Sequence, residues 1–326
     1  MIFWIQMEDV MKELHKRSRN PKYKKKYKVT NWKEYEQSLC NRGSLTLWIS
    51  PSVIKSWKPL SSKKRGRQQC FSDLAIETIL SLRLIFHLPL RQTEGFANSI
   101  FQLMKLNLPV PDHTTLSRRG RTIRPKINCR LSPQKPLHNI VDSTGLGIHG
   151  EGPWASGKKK RRGWRKLHIS IDNEGKIQSS CISKWYIIDG NRVSPLLQQI
   201  KEPIASFIGD KGYDQGTVYN HVLHHTRDAQ IIIHPRSNAV VSDKGKWTHR
   251  DKHVQKILDD GVHKWRRESG YYQQSKVENT FYRYKTILGK KLRARTEDSR
   301  EVETILGCKI LNRFFDLGCC ETKLVA

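Results

Sequence analysis

The chain has 326 residues, enough for one or two domains with a sizeable core. It carries 60 Lys and Arg against 30 Asp and Glu, a formal net charge of +30, which points to a polyanionic partner, nucleic acid ahead of a membrane surface. No apolar run approaches the roughly 18 residues of a membrane span. The opening MIFWIQMEDVM is too short and too acidic for a signal peptide. The seven Cys include no C-x-x-C pair, which argues against a zinc or redox motif and fits reduced thiols in a cytosol.

Residues 1–30 are basic and polar, with the run KYKKKYK, and read as an arm suited to a phosphate backbone. Trp32, Trp48 and Trp57 mark 31–60 as folded, and the charged link SSKKRGRQQ follows at 61–69. A small helical domain is expected next. Phe71 and Ile76 flank Ser72 as a hydrophobic staple around an N-cap, and Ala75, Ile79, Leu82 and Phe86 repeat at helical spacing. LPLRQTEGFANSIFQLMKL starts a second helix. Pro109 and Pro111 break it, and Asp112 caps a third, HTTLSRRGRTI. With Arg118, Arg119, Arg121 and Arg124 on that last helix, the set reads as a helix-turn-helix-like DNA reader, although plain three-helix cores share the pattern.

From residue 137 the pattern turns to strands. LHNIVD comes first. KLHISID and KIQSSCIS form a hairpin across NEG. A short helix is expected over Asn191–Ile200, then the strand IASFIGD. Asp214 is read as the cap of a helix through QGTVYNHVLHH, and AQIIIHP is the fifth strand. The stretch holding Trp247 and Trp265 shows no clear periodicity; these two and Trp185 read as core residues before base-stacking ones. Helices over 271–288 and 299–317 end the chain, each followed by a glycine, Gly289 and Gly318. The order β-β-β-α-β-α-β gives a mixed sheet with helices on its faces, matching the ribonuclease-H-like fold. The expected organisation is a basic arm over 1–30, a small all-α domain over 31–130 and the α/β domain over 131–326.

Three carboxylates stand out. Asp142 ends LHNIVD, Asp210 ends IASFIGD, and Glu278 lies in the helix SKVENTFYRYK. Acids converging from two strand ends and one helix make a cage for hard divalent cations. On the last of these elements Val277, Phe281, Tyr284 and Leu288 form one apolar stripe, while Tyr271, Gln274, Glu278, Tyr282 and Lys285 form the next. Asp172 reads as a turn residue, Asp189 as loop and Asp214 as a cap. The run GKKKRRGWRK, with Lys158, Lys159, Lys160, Arg161 and Arg162 at its centre, lies between the first two strands and suits phosphate contacts.

These stretches carry a resemblance. NRGSLTLW, DLAIETILSLRLIFHLPLRQTEGF and VPDHTTLSRR look like the N-terminal part of bacterial insertion-sequence transposases of the DDE type, in particular the IS-five group. VDSTGL, IGDKGYD and KVENTFYRYKTILGKKLRAR look like that family's three acidic motifs. Tyr271, Glu278 and Lys285 keep the spacing of the third motif, and Gln274 stands where the motif has Arg.

The resemblance implies that Asp142, Asp210 and Glu278 hold two Mg²⁺, with Mn²⁺ able to substitute. It implies that water first frees a 3′-hydroxyl at the element end, and that this hydroxyl then joins target DNA. Tyr271, Gln274, Lys285, the basic run 158–162, Arg118 and Arg119 would contact DNA. The partners implied are element ends and target DNA, with a homodimer or higher assembly formed on the DNA and no membrane. The implied location is the cytoplasm and nucleoid of a bacterium. The rival readings are a decayed copy that only binds DNA and a ribonuclease-H-like nuclease that cuts without joining.

Overall fold

A computed structural model describes residues 26–59, 66, 68–127, 136–150, 163–242 and 248–325. Most of the basic arm, Cys129, the run Lys158–Arg162 and Trp247 lie outside the described residues. The chain divides into two compact units, one of residues 1–47 with 314–326 and one of residues 48–313.

In the smaller unit, strand β1 (Lys26–Val29) pairs antiparallel with β8 (Thr322–Val325). Helix α1 (Trp32–Arg42) is fastened to the returning chain by polar bonds. Asn31 donates to the Cys319 carbonyl at 2.9 Å and accepts from the Glu321 amide at 2.8 Å. Ser38 and Arg42 both donate to the Gly318 carbonyl. Gly318 sits at φ +132°, a backbone region open to glycine, and so turns the chain back after the last helix.

The larger unit begins with α2 (Leu45–Trp48, shared with the smaller unit) and α3 (Pro51–Lys55), then α4 (Asp73–Ile85), α5 (Leu90–Leu103) and α6 (His113–Thr122). Both expected caps form. Ser72 accepts from the Ala75 amide at 3.1 Å, and Asp112 accepts from the amides of Thr114 and Thr115, each at 2.8 Å. Trp57 is buried against Phe101, and its indole donates to the Pro109 carbonyl at 2.8 Å. The link before the arginine-bearing α6 spans 104–112, longer than the three- or four-residue turn of a helix-turn-helix.

The sheet follows: β2 (Leu137–Ile148), β3 (Trp164–Ile171), β4 (Ile177–Lys184), β5 (Ile204–Gly209) and β6 (Gln230–Ile233), in spatial order β4-β3-β2-β5-β6. The first three strands are antiparallel, and β5 and β6 run parallel to β2. The short β7 (Lys291–Leu292) pairs parallel with the far end of β2 at Gly147 and Ile148.

Strand alternation sorts the core onto two faces. Val141, Phe207, Ile231 and Ile233 face α7 (Val193–Leu197) and α8 (Gly216–His225). Ile140, Ile208 and Ile232 face α10 (Val262–Glu268), α11 (Ser275–Ile287) and α12 (Glu297–Asp316) through Trp265, Val277, Phe281, Tyr284, Cys308 and Leu311. This is the ribonuclease-H-like arrangement, a six-stranded mixed sheet flanked by helices and preceded by a helical region. Among the described residues no helix is long and apolar enough to cross a membrane.

Several local expectations change. The stretch without clear periodicity holds α9 (His249–Asp260) and α10, the first opened by a capping box of Thr248 and Asp251. The helix expected over 191–200 is shorter, a 3₁₀ turn Asp189–Arg192 running into α7. The helix expected over 271–288 splits into a 3₁₀ turn, Tyr271–Gln274, and α11. Asp214 does not cap α8, whose N-cap is Gln215. Instead its buried carboxylate accepts from the Arg236 amide at 3.0 Å and from Arg250 at 2.8 Å.

Candidate active site

Parallel pairing of β2 with β5 puts Val141 opposite Gly209, so the next residues lie side by side: Asp142, expected at a strand end, stands midway along β2, which runs on to Ile148, while Asp210 follows the end of β5. Neighbouring strands lie about 4.8 Å apart, which brings the two carboxylates into one locality. Asp210 also opens a tight 3₁₀ turn, Lys211–Tyr213, and accepts from the Gly212 amide at 2.8 Å. A Cβ on Gly212 would stand 3.0 Å from that carboxylate oxygen, and one on Gly209 would stand 3.2 Å from Tyr213, so both positions of IGDKGYD are tight for any side chain. Tyr213 fills the buried space beneath.

Helix α11 brings the third acid. Its apolar stripe, Val277, Phe281 and Tyr284, is buried on the sheet, as the spacing requires. Two polar ties set it beside β2. Gln274, at its start, donates to the Val141 carbonyl at 3.1 Å, and Lys285, in its last turn, donates to Thr144 Oγ1 at 2.6 Å. Glu278 sits between these ties and is exposed.

The electrostatics agree with this grouping. Asp142 is pushed up to about 7, first by burial and then by the charges of Asp210, Asp189 and Glu278, against one bond from the Ser143 amide at 2.7 Å. Tyr271 is pushed up to about 12, by burial and then by Asp210, with Asp142 and Glu278 adding. Burial, with help from Lys290, lowers the Lys285 ammonium.

Sequence reasoning missed Asp189. It accepts from Ser143 Oγ at 3.0 Å and from Lys166 at 2.7 Å, and it stands 4.0 Å from His168 Nδ1. Burial pushes His168 down to about 4, against the pull of Asp189, so the imidazole is neutral at pH 7 and bonds Ser183 Oγ at 2.7 Å. Read in the sequence, Asp189 precedes Gly190 and looks like loop; only the fold brings it to β2 and β3.

The remaining expected contacts divide. Tyr271 is half-buried among Trp265, His234 and Arg266, whose guanidinium lies 5.8 Å from its ring centre. Gln274 is buried, its amide nitrogen donating inward to β2, so it supports the strand that carries Asp142. Arg119 is paired with Asp73 and also donates to the Phe71 carbonyl at 3.1 Å, so its charge is matched inside the helical region. Arg118 is exposed. Trp265 is fully buried, as expected of a core residue.

Among the described residues no three His, Cys, Asp or Glu side chains are arranged to hold one metal ion between them. The donors nevertheless fit hard divalent ions. They are carboxylate oxygens, burial and then their mutual repulsion hold Asp142 near 7, and Mg²⁺ is commonly bound through one or two carboxylates with water and phosphate completing its shell. Two family models, each described as Transposase DDE domain, match the chain, one over residues 40–151 and the other over residues 133–313. The second match contains all three acids.

Proposed function

The chain belongs to the DDE transposase family, and from that premise we propose that this transposase binds the ends of an insertion sequence of the IS-five group, cuts the phosphodiester there and joins the freed end to target DNA. The observation that carries this reading is the pairing of Val141 with Gly209, which sets Asp142 beside Asp210 with the Glu278 helix tied along the same strand by Gln274 and Lys285. Transposases of this family use divalent metal ions as a rule. Two Mg²⁺ held by Asp142, Asp210 and Glu278 would activate the attacking oxygen and stabilise the leaving one.

The rest is the work of the chain. Asp142, near 7 without a cation, gives up its proton as positive charge enters the site. Asp189 and Lys166 keep Ser143, and with it the Asp142 backbone, in place. Lys285, already beside Thr144, holds a phosphate of the bound strand. The surplus of 30 positive charges draws DNA to the protein. Two copies bring two ends together on the DNA, in the nucleoid.

The test is cleavage and joining of DNA carrying the element's own ends, with Mg²⁺, by the native protein and by Asp142→Asn, Asp210→Asn and Glu278→Gln. The native protein should cut and join, and each variant should lose roughly a thousandfold or more while still binding DNA. Binding by the native protein without cutting, or cutting by the variants, would overturn the reading.

A further inference from the structure

A second charged feature lies at the C-terminal end of β2, beyond Asp142. A cleft of about 670 Å³ opens between α4–α6 and the segment 293–306. Its wall carries Arg83, Arg91, Arg121, Arg293 and Arg295, with Glu303 as the acid. Glu303 is already committed, accepting from the amides of Arg293, at 2.9 Å, and Ala294, at 2.7 Å. Arg293 donates to the His87 carbonyl. Arg91, Arg121 and Arg295 are exposed, and among the described residues their guanidiniums have no hydrogen-bonded or ion-pair partner. Arg83 is half-buried and its Nε has no hydrogen-bond partner, while the charge of Glu303 offsets part of its burial. Five arginines thus line one cleft beside a single acid, and guanidiniums match phosphate oxygens in two-point bonds.

We propose that this cleft is a DNA-backbone site, taking two or three phosphates of the bound element end on the flank away from the cut. This rests on the transposase reading and adds the register of the DNA to it. His149, on the cleft wall, follows β2 directly, and the seven residues from Asp142 to His149 span roughly 23 Å along a strand. At about 3.4 Å per base pair, a duplex lying along β2 reaches the cleft six or seven base pairs from the scissile phosphate. Lys285, bonded to Thr144, stands between the two sites on the same line.

The experiment compares the native protein with the triple variant Arg91→Gln, Arg121→Gln, Arg295→Gln in binding to end DNA across salt concentrations, without divalent metal. A control triple, Lys201→Gln, Arg227→Gln, Lys252→Gln, removes the same charge; its first two sites lie at the opposite strand ends from Asp210. The cleft triple should flatten the slope of log affinity against log salt by about 2 to 3, each lost phosphate contact contributing about 0.9. The control triple should flatten it by less than 1. Phosphate ethylation should interfere with native binding about six or seven base pairs from the cut, and this interference should vanish in the cleft triple.

If the cleft triple will not fold, the single variants Arg91→Gln and Arg295→Gln should each flatten the slope by about 1. Unchanged slopes in a protein that still cuts would overturn the cleft and leave the transposase reading standing. Failure of the native protein to bind or cut end DNA would overturn both. Tight binding of pyrophosphate in the cleft, with unchanged DNA slopes, would make it a small-anion site and overturn the proposal.

Discussion

Asp142 and Asp251 are carboxylates of the same unit with opposite fates. Asp251 is buried yet accepts from the amides and hydroxyls of both Ser242 and Thr248, at 2.7–3.0 Å, and these bonds, that of the Thr248 hydroxyl first, hold its carboxyl well below the usual range. Asp142 accepts one amide bond and stands among Asp210, Asp189 and Glu278, so burial and repulsion push it up to about 7. The fold therefore has the means to satisfy a carboxylate, and at Asp251 it does so to pin 242–251. At Asp142 it leaves the charge for something from outside.

The largest effect that separates the two is on activity. Asp142→Asn should abolish cutting, by roughly a thousandfold or more, whereas Asp251→Ala should leave any protein that stays folded able to cut. Residual cutting by Asp142→Asn within tenfold of native, in a gel assay with end DNA, would break the comparison.

The next effect is on stability. Asp251→Ala leaves buried donors unpaired and should lower unfolding free energy by about 2–4 kcal/mol in urea titrations. Asp142→Asn should do the reverse and stabilise the metal-free protein at pH 8 by roughly 1–3 kcal/mol, a range set by the upward shift and reduced because the side chain is only half-buried.

Acidity sharpens the contrast. The Asp142 carboxyl has its folded pKa raised from 3.8 to about 7, so its contribution is fully present below 3.8 and is lost as pH rises through 7. Asp251 has its pKa lowered, so its contribution is present above the ordinary carboxylate value and is lost as acid protonates it. Metal-free native protein should therefore lose stability between about pH 4 and 7, and Asp142→Asn should remove most of that slope. An identical slope in the variant would contradict the assignment.

The smallest effect is at Gln274. Gln274→Ala should cost about 1 kcal/mol through the bond to Val141. Gln274→Arg should destabilise by roughly 1–3 kcal/mol without raising activity, because the position is buried and turned inward. A gain in cutting by Gln274→Arg would show that the position reaches DNA.

What the sequence shows most clearly is what local physics dictates. Apolar runs ending in Asp142 and Asp210, the Val277–Phe281–Tyr284 stripe, and the caps at Ser72 and Asp112 are patterns of neighbours along the chain. The caps and the strand before Asp210 form where expected, while the first strand runs past Asp142 to Ile148 and the helix begins only at Ser275. What it hides depends on distant partners. Asp189 gains meaning only from Ser143 and Lys166, and Asp214 only from Arg236 and Arg250. Gln274 looked surface-facing because helical arithmetic ran through a 3₁₀ turn, where the spacing per turn is shorter. Helices α9 and α10 escaped notice because their two buried apolar side chains, Val254 and Trp265, are diluted by charge. The pairing of β1 with β8 joins segments nearly a whole chain apart.

The most direct measurement is the uptake of Mn²⁺ by the complex with end DNA, counted by electron paramagnetic resonance for the native protein and for Asp142→Asn, Asp210→Asn and Glu278→Gln. Two ions per active site in the native complex, with uptake reduced by each substitution, is the expected result. A native complex that takes up none, or variants that take up as much as the native protein, would contradict the claim that these three carboxylates form the metal site.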